Sequence, residues 1–453
     1  MNQDTIVAIA SPSGIGALGI IRLSGNDAIT IVNKVFPSKN LENQKSHTLH
    51  VGKIQDGDHI YDEVVVSLFI APKSYTKENV VEISCHGSPF IIESLIQLFL
   101  SKGARLANPG EFTQRAFLNG GLDLAQAEAV ADLIAADTQA SQKVAMNQLR
   151  GGFSRELGML REELIHFASM LELELDFSEE EVEFADRTQL TNLIQKMIEQ
   201  VEPLVSSFKT GNVIKNGVAT VLVGKPNAGK STLLNALLKE DKAIVSDIAG
   251  TTRDSLEDIW TLGGIRFRLV DTAGLRETTD TIEAIGVERT KNWMKKSQLI
   301  LLMIDLSTDS KEDLKNTLKE FSEQDAELIV VLNKLDQVNG FKLTDWTIHP
   351  HTVCISAKTG KGIKELEKKM LEIVEADLKN TDATMVTNLR HYEQLKLTLE
   401  TLETVKQGIQ NSLTNDFLAQ DLRHALYHLG QITGSITNDD LLKNIFGKFC
   451  IGK

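Results

Sequence analysis

The spacing of apolar and polar positions changes character along the chain. Over residues 1–118, short β-rich apolar runs alternate with helical patterns. TIVAIA, LGIIRLSG, EVVVSLFIA and NVVEISCHG read as strands, and 26–36 and 89–101 as helices. The run Asn108-Pro-Gly-Glu-Phe-Thr predicts a turn leading into a helix start. From 122 to about 210, Leu, Glu, Gln and Ala recur at helical spacing, and DLAQAEAVADLIAADT and LREELIHFASMLELELDF read as amphipathic helices. Between about 217 and 376 the pattern alternates again: VATVLVG, RFRLVDT, LILLMID, ELIVVLNK and HTVCISA are buried-type strands with helices between most of them. That alternation predicts a mostly parallel sheet covered on both faces. Residues from about 380 return to helical spacing. The expected architecture is an α/β domain over 216–377 inserted into an all-helical domain (119–215 and 378–453), preceded by an α+β domain over 1–118. No short-period repeat or low-complexity segment interrupts this plan.

Composition narrows the partners. Lys plus Arg number 48 and Asp plus Glu 62, a net charge of −14, so the overall field does not attract nucleic acid. Any such contact needs a local basic patch or a basic partner. The three cysteines (Cys85, Cys354, Cys450) are far apart and fit a reducing compartment. The start, MNQDTIVAIA, lacks a basic segment before its short apolar run, so no secretory signal is expected there. The longest strongly apolar run, about 299–304, falls far short of the ~20 residues of a membrane helix. The expectation is a cytoplasmic protein without a membrane contact.

One motif dominates the chemistry. Strand VATVLV ends in Gly224-Lys-Pro-Asn-Ala-Gly-Lys-Ser231, followed by the helical TLLNALLK. GxxxxGKS between a strand and a helix is a phosphate loop: backbone N–H groups from Asn227 to Thr232 (Asn227, Ala228, Gly229, Lys230, Ser231, Thr232) face the phosphates and the helix N-terminus adds positive potential. Lys230 is expected on the β/γ-phosphates and the Ser231 hydroxyl on Mg²⁺. Strand RFRLV leads to Asp271-Thr272-Ala273-Gly274, suited to Mg²⁺ through water and to a γ-phosphate contact. Strand LIVVL leads to Asn333-Lys334-Leu-Asp336, whose carboxylate accepts two N–H bonds from a guanine edge; adenine offers no such donor pair. Strand TVCI leads to Ser356-Ala357-Lys358, whose backbone can read the guanine O6. In this order, each at a strand end, these tetrads point to one sheet edge and to GTP/GDP. The stretch resembles a Ras-like P-loop GTPase domain.

Most Ras-like enzymes carry a Gln directly after DxxG; here that position is Leu275, which cannot orient water. Another water-positioning group and another source of positive charge are required. Asn227, together with Ser246-Asp247-Ile248-Ala249-Gly250-Thr251-Thr252, offers side-chain and carbonyl oxygens, including those of Ile248 and Thr251, that suit K⁺. Thr252 is the candidate second Mg²⁺ ligand. Arg253 is an alternative as an arginine finger, against a solvent salt bridge. Glu277, Asp280, Glu283 and Glu288 are all placed to hold water, and the residues alone do not choose among them.

End to end, the chain resembles the MnmE (TrmE) family of tRNA uridine-modification GTPases. The resemblance rests on DTIVAIASPSGIGALGIIRLSG, PGEFTQRAFLNG with LDLAQAEAVADLI, GKPNAGKST, DIAGTTRD, DTAGLRE and the terminal CIGK. It implies an N-terminal tetrahydrofolate-binding domain that forms a homodimer, and GTPase domains that meet in a K⁺-dependent way. By matched position, Asn227, Ser246, Ile248 and Thr251 bind K⁺, Ser231 and Thr252 bind Mg²⁺, and Glu283 becomes the water-orienting acid. It implies a flavoprotein partner of the MnmG (GidA) type, using FAD and NADH and joining in a heterotetramer. Together they install an aminomethyl or carboxymethylaminomethyl group on C5 of the wobble uridine of certain tRNAs, with the tRNA held mainly by the partner. The one-carbon unit comes from 5-formyl- or methylene-tetrahydrofolate, with Arg22, Glu82 and Lys453 at the matched folate positions: a carboxylate for the pterin edge and a cation for the glutamate tail. One departure stands out: where the family often has a basic residue after FLN-x, this chain has Gly121. Cys450 in CIGK is either a nucleophile toward uridine C6 or a docked tail cysteine, mostly buried. His86 in SCHGSP, without a matched acid or serine, reads as a structural histidine. The competing functions are a ribosome-assembly switch, disfavoured because neither flank is visibly basic, and a scaffold with a dead nucleotide site, which conflicts with Lys230, Ser231 and Asp271.

Overall fold

The computed structural model describes residues 4–176, 187–240, 257–271, 293–294, 297–321, 326–338, 346, 348–378 and 385–452. The chain forms two compact units, one from residues 1–135, 145–201 and 394–453 and the other from 136–144 and 202–393. By compactness the division falls inside three helices, Gln139–Leu149, Arg187–Asn216 and Leu389–Gln410.

The first unit opens with a six-stranded sheet: β1 (Ile6–Ile9), β2 (Leu18–Ser24), β3 (Thr48–Asp56), β4 (His59–Phe69), β5 (Val80–His86) and β6 (Arg105–Leu106), ordered β3-β4-β5-β2-β1-β6. All neighbours are antiparallel except β1 and β6. The period-two rule assigns each residue its face. In β5, Val81, Ile83 and Cys85 are buried, whereas Glu82 and Ser84 are half-buried and His86 is exposed. The buried face joins Ile21, Leu23, Val66 and Leu68 with Leu95 and Phe99 of the helix Pro89–Ser101. Each such buried Leu or Phe contributes about 1.5–3 kcal/mol. Pro89 sits in the first turn, where its missing N–H costs nothing. The expected helix over 26–36 is shorter, Ala28–Asn33. Strands β3 and β6 were not anticipated. The first is an edge strand whose Leu49 and Val51 face outward, and the second has only two residues.

The helical part of this unit draws on distant chain segments. Gly152–Asp176 packs along Asn415–Thr433. Arg423 donates to Glu172 at 2.7 Å and Asn415 to Glu174 at 2.6 Å, so the two helical halves join as one body. The last helix, Asp439–Phe446, is capped by the Asn438 side chain, which accepts from Leu441 N. Its Leu442 and Phe446, with Phe449, pack on Phe117, Leu124 and Ala127. That packing brings the chain end to the N-terminal domain.

The second unit holds β7 (Val218–Gly224), β8 (Glu257–Leu262), β9 (Ile265–Asp271), β10 (Leu299–Asp305), β11 (Glu327–Asn333) and β12 (Thr352–Cys354), ordered β12-β11-β10-β7-β9-β8. Every pairing is parallel except β8 with β9. All seven residues of β10 are buried, as a central parallel strand requires. The antiparallel edge was not read from the sequence. It arises because Gly263 (φ 58°) and Gly264 (φ 80°) form a two-residue hairpin loop that needs positive φ at both positions. This is the Ras-like sheet order. Among the described residues, no helix is long and apolar enough to cross a membrane.

Candidate functional site

The phosphate loop leaves β7 at Gly224 and enters the helix Lys230–Glu240, where Ser231 and Thr232 occupy the exposed first turn. Asn227 takes a left-handed conformation (φ 64°), which Asn tolerates better than most residues. Lys230 is only 5% exposed, and its Nζ donates to Gly224 O and Lys225 O, both at 2.9 Å. The ammonium thus lies inside the loop, held by carbonyls that a phosphate can replace as partners. Gly229 (φ 97°) allows the close approach of Asn333: a Cβ there would run into Asn333 Nδ2.

Asn333 is the keystone of the site. It ends β11 at 2% exposure, donates to Ala228 O at 2.8 Å and accepts from Ala357 N at 3.0 Å. One amide therefore ties the phosphate loop to both base-reading loops. Lys334 follows in the left-handed region (φ 65°), a strained position for lysine, and Asp305 at the end of β10 holds its Nζ at 2.5 Å. Burial works against the Asp305 charge. The Lys334 ammonium and the Ser307 hydroxyl and N–H outweigh it and keep the carboxyl below its ordinary range. Asp336 is exposed, and Ser356 Oγ donates to its Oδ1 at 2.6 Å. That bond, opposed in part by burial, and the charges of Lys358 and Lys334 lower the Asp336 pKa, so the carboxylate is an acceptor at neutral pH.

Asn227 through Thr232, Asn333, Lys334, Asp336, Ser356, Ala357 and Lys358 thus gather at the carboxyl edge of one sheet. Strand β9 ends at Asp271 on the same edge. Residues 246–252 (including Ser246, Ile248, Thr251 and Thr252), Thr272 to Gly274, Glu283 and Lys453 lie outside the described residues. Asp305 and Asp309 were missed by the sequence reading. Asp309 accepts from Asp305 N at 2.9 Å and pairs with Lys225 at 2.8 Å. The available signal was an apolar strand, LILLMID, ending on an acid.

A second cluster forms in the first unit. Arg22 and Glu82 are direct register partners on β2 and β5. Arg22 Nη2 and Nε approach the same Glu82 oxygen at 2.7 and 2.8 Å, and among the described residues Oε2 has no partner. The two side chains therefore act as one unit rather than reading opposite ends of a ligand. The guanidinium lies 5.6 Å from the Tyr75 ring centre and 5.7 Å from that of Phe112. Arg22 Nη1 also donates to Gly452 O at 3.4 Å, and Gly110 N to Cys450 O at 3.4 Å, so the tail is docked beside this cluster. The Cys450 side chain itself is exposed, unlike the mostly buried tail cysteine of one earlier alternative. Beside Gly121 stands Lys77: its Nζ donates to Gly120 O at 2.8 Å, and a Cβ at 121 would lie 3.5 Å from Lys77 Cε. A cation thus reaches that place from another loop. Tyr75, Lys77 and Phe112 carried no sequence signal, because their meeting depends on loop 71–79 and helix Glu111–Leu118.

His86 is hydrogen-bonded, and to an acid the sequence did not reveal: Asp62 Oδ1 lies 2.7 Å from its Nδ1, while the side chain is 68% exposed.

Two family models match the chain: a GTP-binding protein TrmE N-terminus over residues 5–121 and an MnmE helical domain over residues 124–450. The chain is 57% identical over 452 residues to the tRNA modification GTPase MnmE of Cytophaga hutchinsonii, covering 100% of this chain and 98% of that protein. It is 50% identical to that of Flavobacterium psychrophilum, covering 100% and 99% respectively. Among solved structures, it is similar to the G domain of the T. maritima FeoB iron transporter (26% identity, 34% of this chain, 97% of that one, TM-score 0.27).

Proposed function

This chain belongs to the MnmE family of tRNA modification GTPases, and from that premise we propose a K⁺-stimulated, Mg²⁺-dependent GTP hydrolysis coupled to wobble-uridine modification. It is a GTPase. In our reading it acts as a cytoplasmic homodimer with an MnmG-type flavoprotein that uses FAD and NADH. The product is a carboxymethylaminomethyl group on C5 of the wobble uridine of certain tRNAs, built on a one-carbon unit from 5-formyl- or methylene-tetrahydrofolate. The partner supplies the basic surface that a chain of net charge −14 lacks.

The observation that carries the GTP half is Asn333, which joins the phosphate loop to the Asp336 and Ala357 loops. Lys230 exchanges its two carbonyl partners for the β/γ-phosphates and neutralises charge there. Ser231 and Thr252 ligate Mg²⁺. Asn227, Ser246, Ile248 and Thr251 would hold K⁺, which would supply the positive charge that an arginine finger gives elsewhere, and Glu283 would orient water in place of the Gln missing after DxxG. In potassium chloride the hydrolysis rate is expected to exceed that in sodium chloride severalfold or more, measured as phosphate release at equal ionic strength. Equal rates would remove the cation from the mechanism.

For the modification half, Glu82 offers its unpaired Oε2 and the edge of Oε1 to a pterin's donors, while Arg22 holds the carboxylate in place. Tyr75, 38% exposed, offers an aromatic surface to a heterocycle, while the fully buried Phe112 backs the Arg22 guanidinium. Lys77 and Lys453 are the cations for the anionic tail, and Cys450, exposed beside the site, is available to the uridine. Nucleoside analysis of tRNA from a strain lacking this chain is expected to show unmodified wobble uridines. An unchanged profile would reject the modification role.

A further inference from the structure

His86 and Asp62 belong to none of the residue sets above, yet the structure holds His86 with unusual care. Asp62, on β4, has a side chain only 7% exposed. Its Oδ2 accepts from His86 N at 2.8 Å and its Oδ1 meets His86 Nδ1 at 2.7 Å, while Glu63 N donates to Oδ1 at 2.9 Å. A carboxylate has no proton to give, so Nδ1 carries the hydrogen and Nε2 is left with its lone pair. The ring is 68% exposed, so Nε2 faces outward. A buried acid that fixes the tautomer of an exposed imidazole is the arrangement of a proton-transfer group. A metal ligand is the alternative, but among the described residues no three His, Cys, Asp or Glu side chains cluster to hold one.

The fold also says where this group acts. Glu82, Ser84 and His86 alternate onto the face of β5 opposite the one that packs on the helix Pro89–Ser101, and Arg22 and Leu18 are the register partners of Glu82 and His86 on β2. Four residues of strand place His86 about 13 Å from Glu82. That is comparable to the span from a pterin's amide edge to the bridging nitrogen beyond it, with a hydrogen bond at each end. The exposed Leu18 supplies an apolar floor beside the ring.

We propose that His86 Nε2 is the proton-transfer group for one-carbon chemistry at the exposed end of this face, with Asp62 as its positioning residue. The inference rests on the folate reading of Glu82. In the step assigned to His86, a methylene bridge between two nitrogens opens. The carbon–nitrogen bond at the bridging nitrogen breaks and its electron pair stays on that nitrogen. The proton comes from Nε2–H of the protonated ring. The lone pair of the second nitrogen forms the new bond to carbon, and water later returns a proton to Nε2. Asp62 keeps the ring oriented with Nδ1 inward and Nε2 toward the ligand.

The test uses the full-length chain carrying ¹⁵N-histidine. The His86 resonances, identified by their loss in His86→Asn, are expected to report the Nδ1–H tautomer, and Asp62→Asn is expected to release that preference. Adding 5-formyl-tetrahydrofolate is expected to shift Nε2. His86→Ala, supplied to extract from a strain lacking the chain, is expected to unfold at the parent's temperature and to keep 5-formyl-tetrahydrofolate binding within about tenfold of the parent, the loss of one hydrogen bond. It should modify tRNA about 100-fold more slowly and recover in added imidazole. Undiminished modification, no rescue, or loss of folate binding together with modification would each overturn the proposal. The folate reading fails separately: the unaltered chain then shows no folate-induced shift, and Glu82→Gln binds the ligand no differently from the parent.

Discussion

Asp336→Asn is expected to exchange guanine for xanthine. The carboxylate accepts from the N1–H and the 2-amino group of guanine; the amide presents one acceptor and one donor. The donor meets the guanine 2-amino group head-on, whereas xanthine has a carbonyl oxygen there that can accept it. Ser356 Oγ, 2.6 Å from Asp336 Oδ1, fixes which oxygen points inward, so the side chain cannot swing away to relieve the mismatch. A site built to hydrogen-bond one edge rejects the wrong partner by about 10⁴-fold. The ratio of kcat/KM for XTP over GTP is therefore expected to rise by about that factor. The Ras-like base site would have to be reassigned if the ratio stayed put. The lowered pKa of the group does not enter this result, because a carboxylate is ionised at neutral pH with or without it.

Asn333→Ala is the second large effect, and it acts without touching the chemistry. The side chain is 2% exposed and makes two bonds, to Ala228 O at 2.8 Å and from Ala357 N at 3.0 Å. Alanine leaves both backbone groups without that partner and opens a gap beside Gly229. Each orphaned buried group costs about 1–3 kcal/mol, so guanine nucleotide affinity is expected to fall about 100-fold or more. Thermal unfolding of the second unit should move down as well, because the loops are tied in the absence of nucleotide. Fluorescent nucleotide titration and calorimetry read the two effects. Asn333→Asp keeps an acceptor for Ala357 N but cannot donate to Ala228 O, and is expected to be intermediate. If Asn333→Ala bound nucleotide as tightly as the parent, the three loops would be shown to stand independently.

Most of the Arg22–Glu82 cluster lay beyond the reach of linear reading. Arg22 and Glu82 could be named, but their pairing on one carboxylate oxygen comes from strand register. Tyr75, Phe112 and Lys77 come from segments whose sequence distance hides their proximity. The acidic partner of His86 was missed for the same reason. Asp62 is 24 residues away and ordinary in composition, and only the antiparallel pairing of β4 with β5 brings its carboxylate to the ring. The β8 edge of the GTPase sheet was missed although Gly263 and Gly264 mark its turn, because the strand is short and its Ile259 faces solvent.

The chain order of its tetrads was enough to establish the Ras-like nucleotide site. A phosphate loop works through backbone N–H groups and the residues next to them, so its chemistry is local and survives being read as a string. The parallel sheet was equally legible, because a strand buried on both faces must be apolar throughout, as β10 is. What only the tertiary structure decided are the contacts between segments. Asn333 stapling Ala228 to Ala357 is one, and Glu82 clasped by Arg22 is another. The chain end at Gly110 and the imidazole fixed by Asp62 complete the set. Each depends on a side chain reaching a partner through register or packing, and neither register nor packing is a property of neighbouring residues.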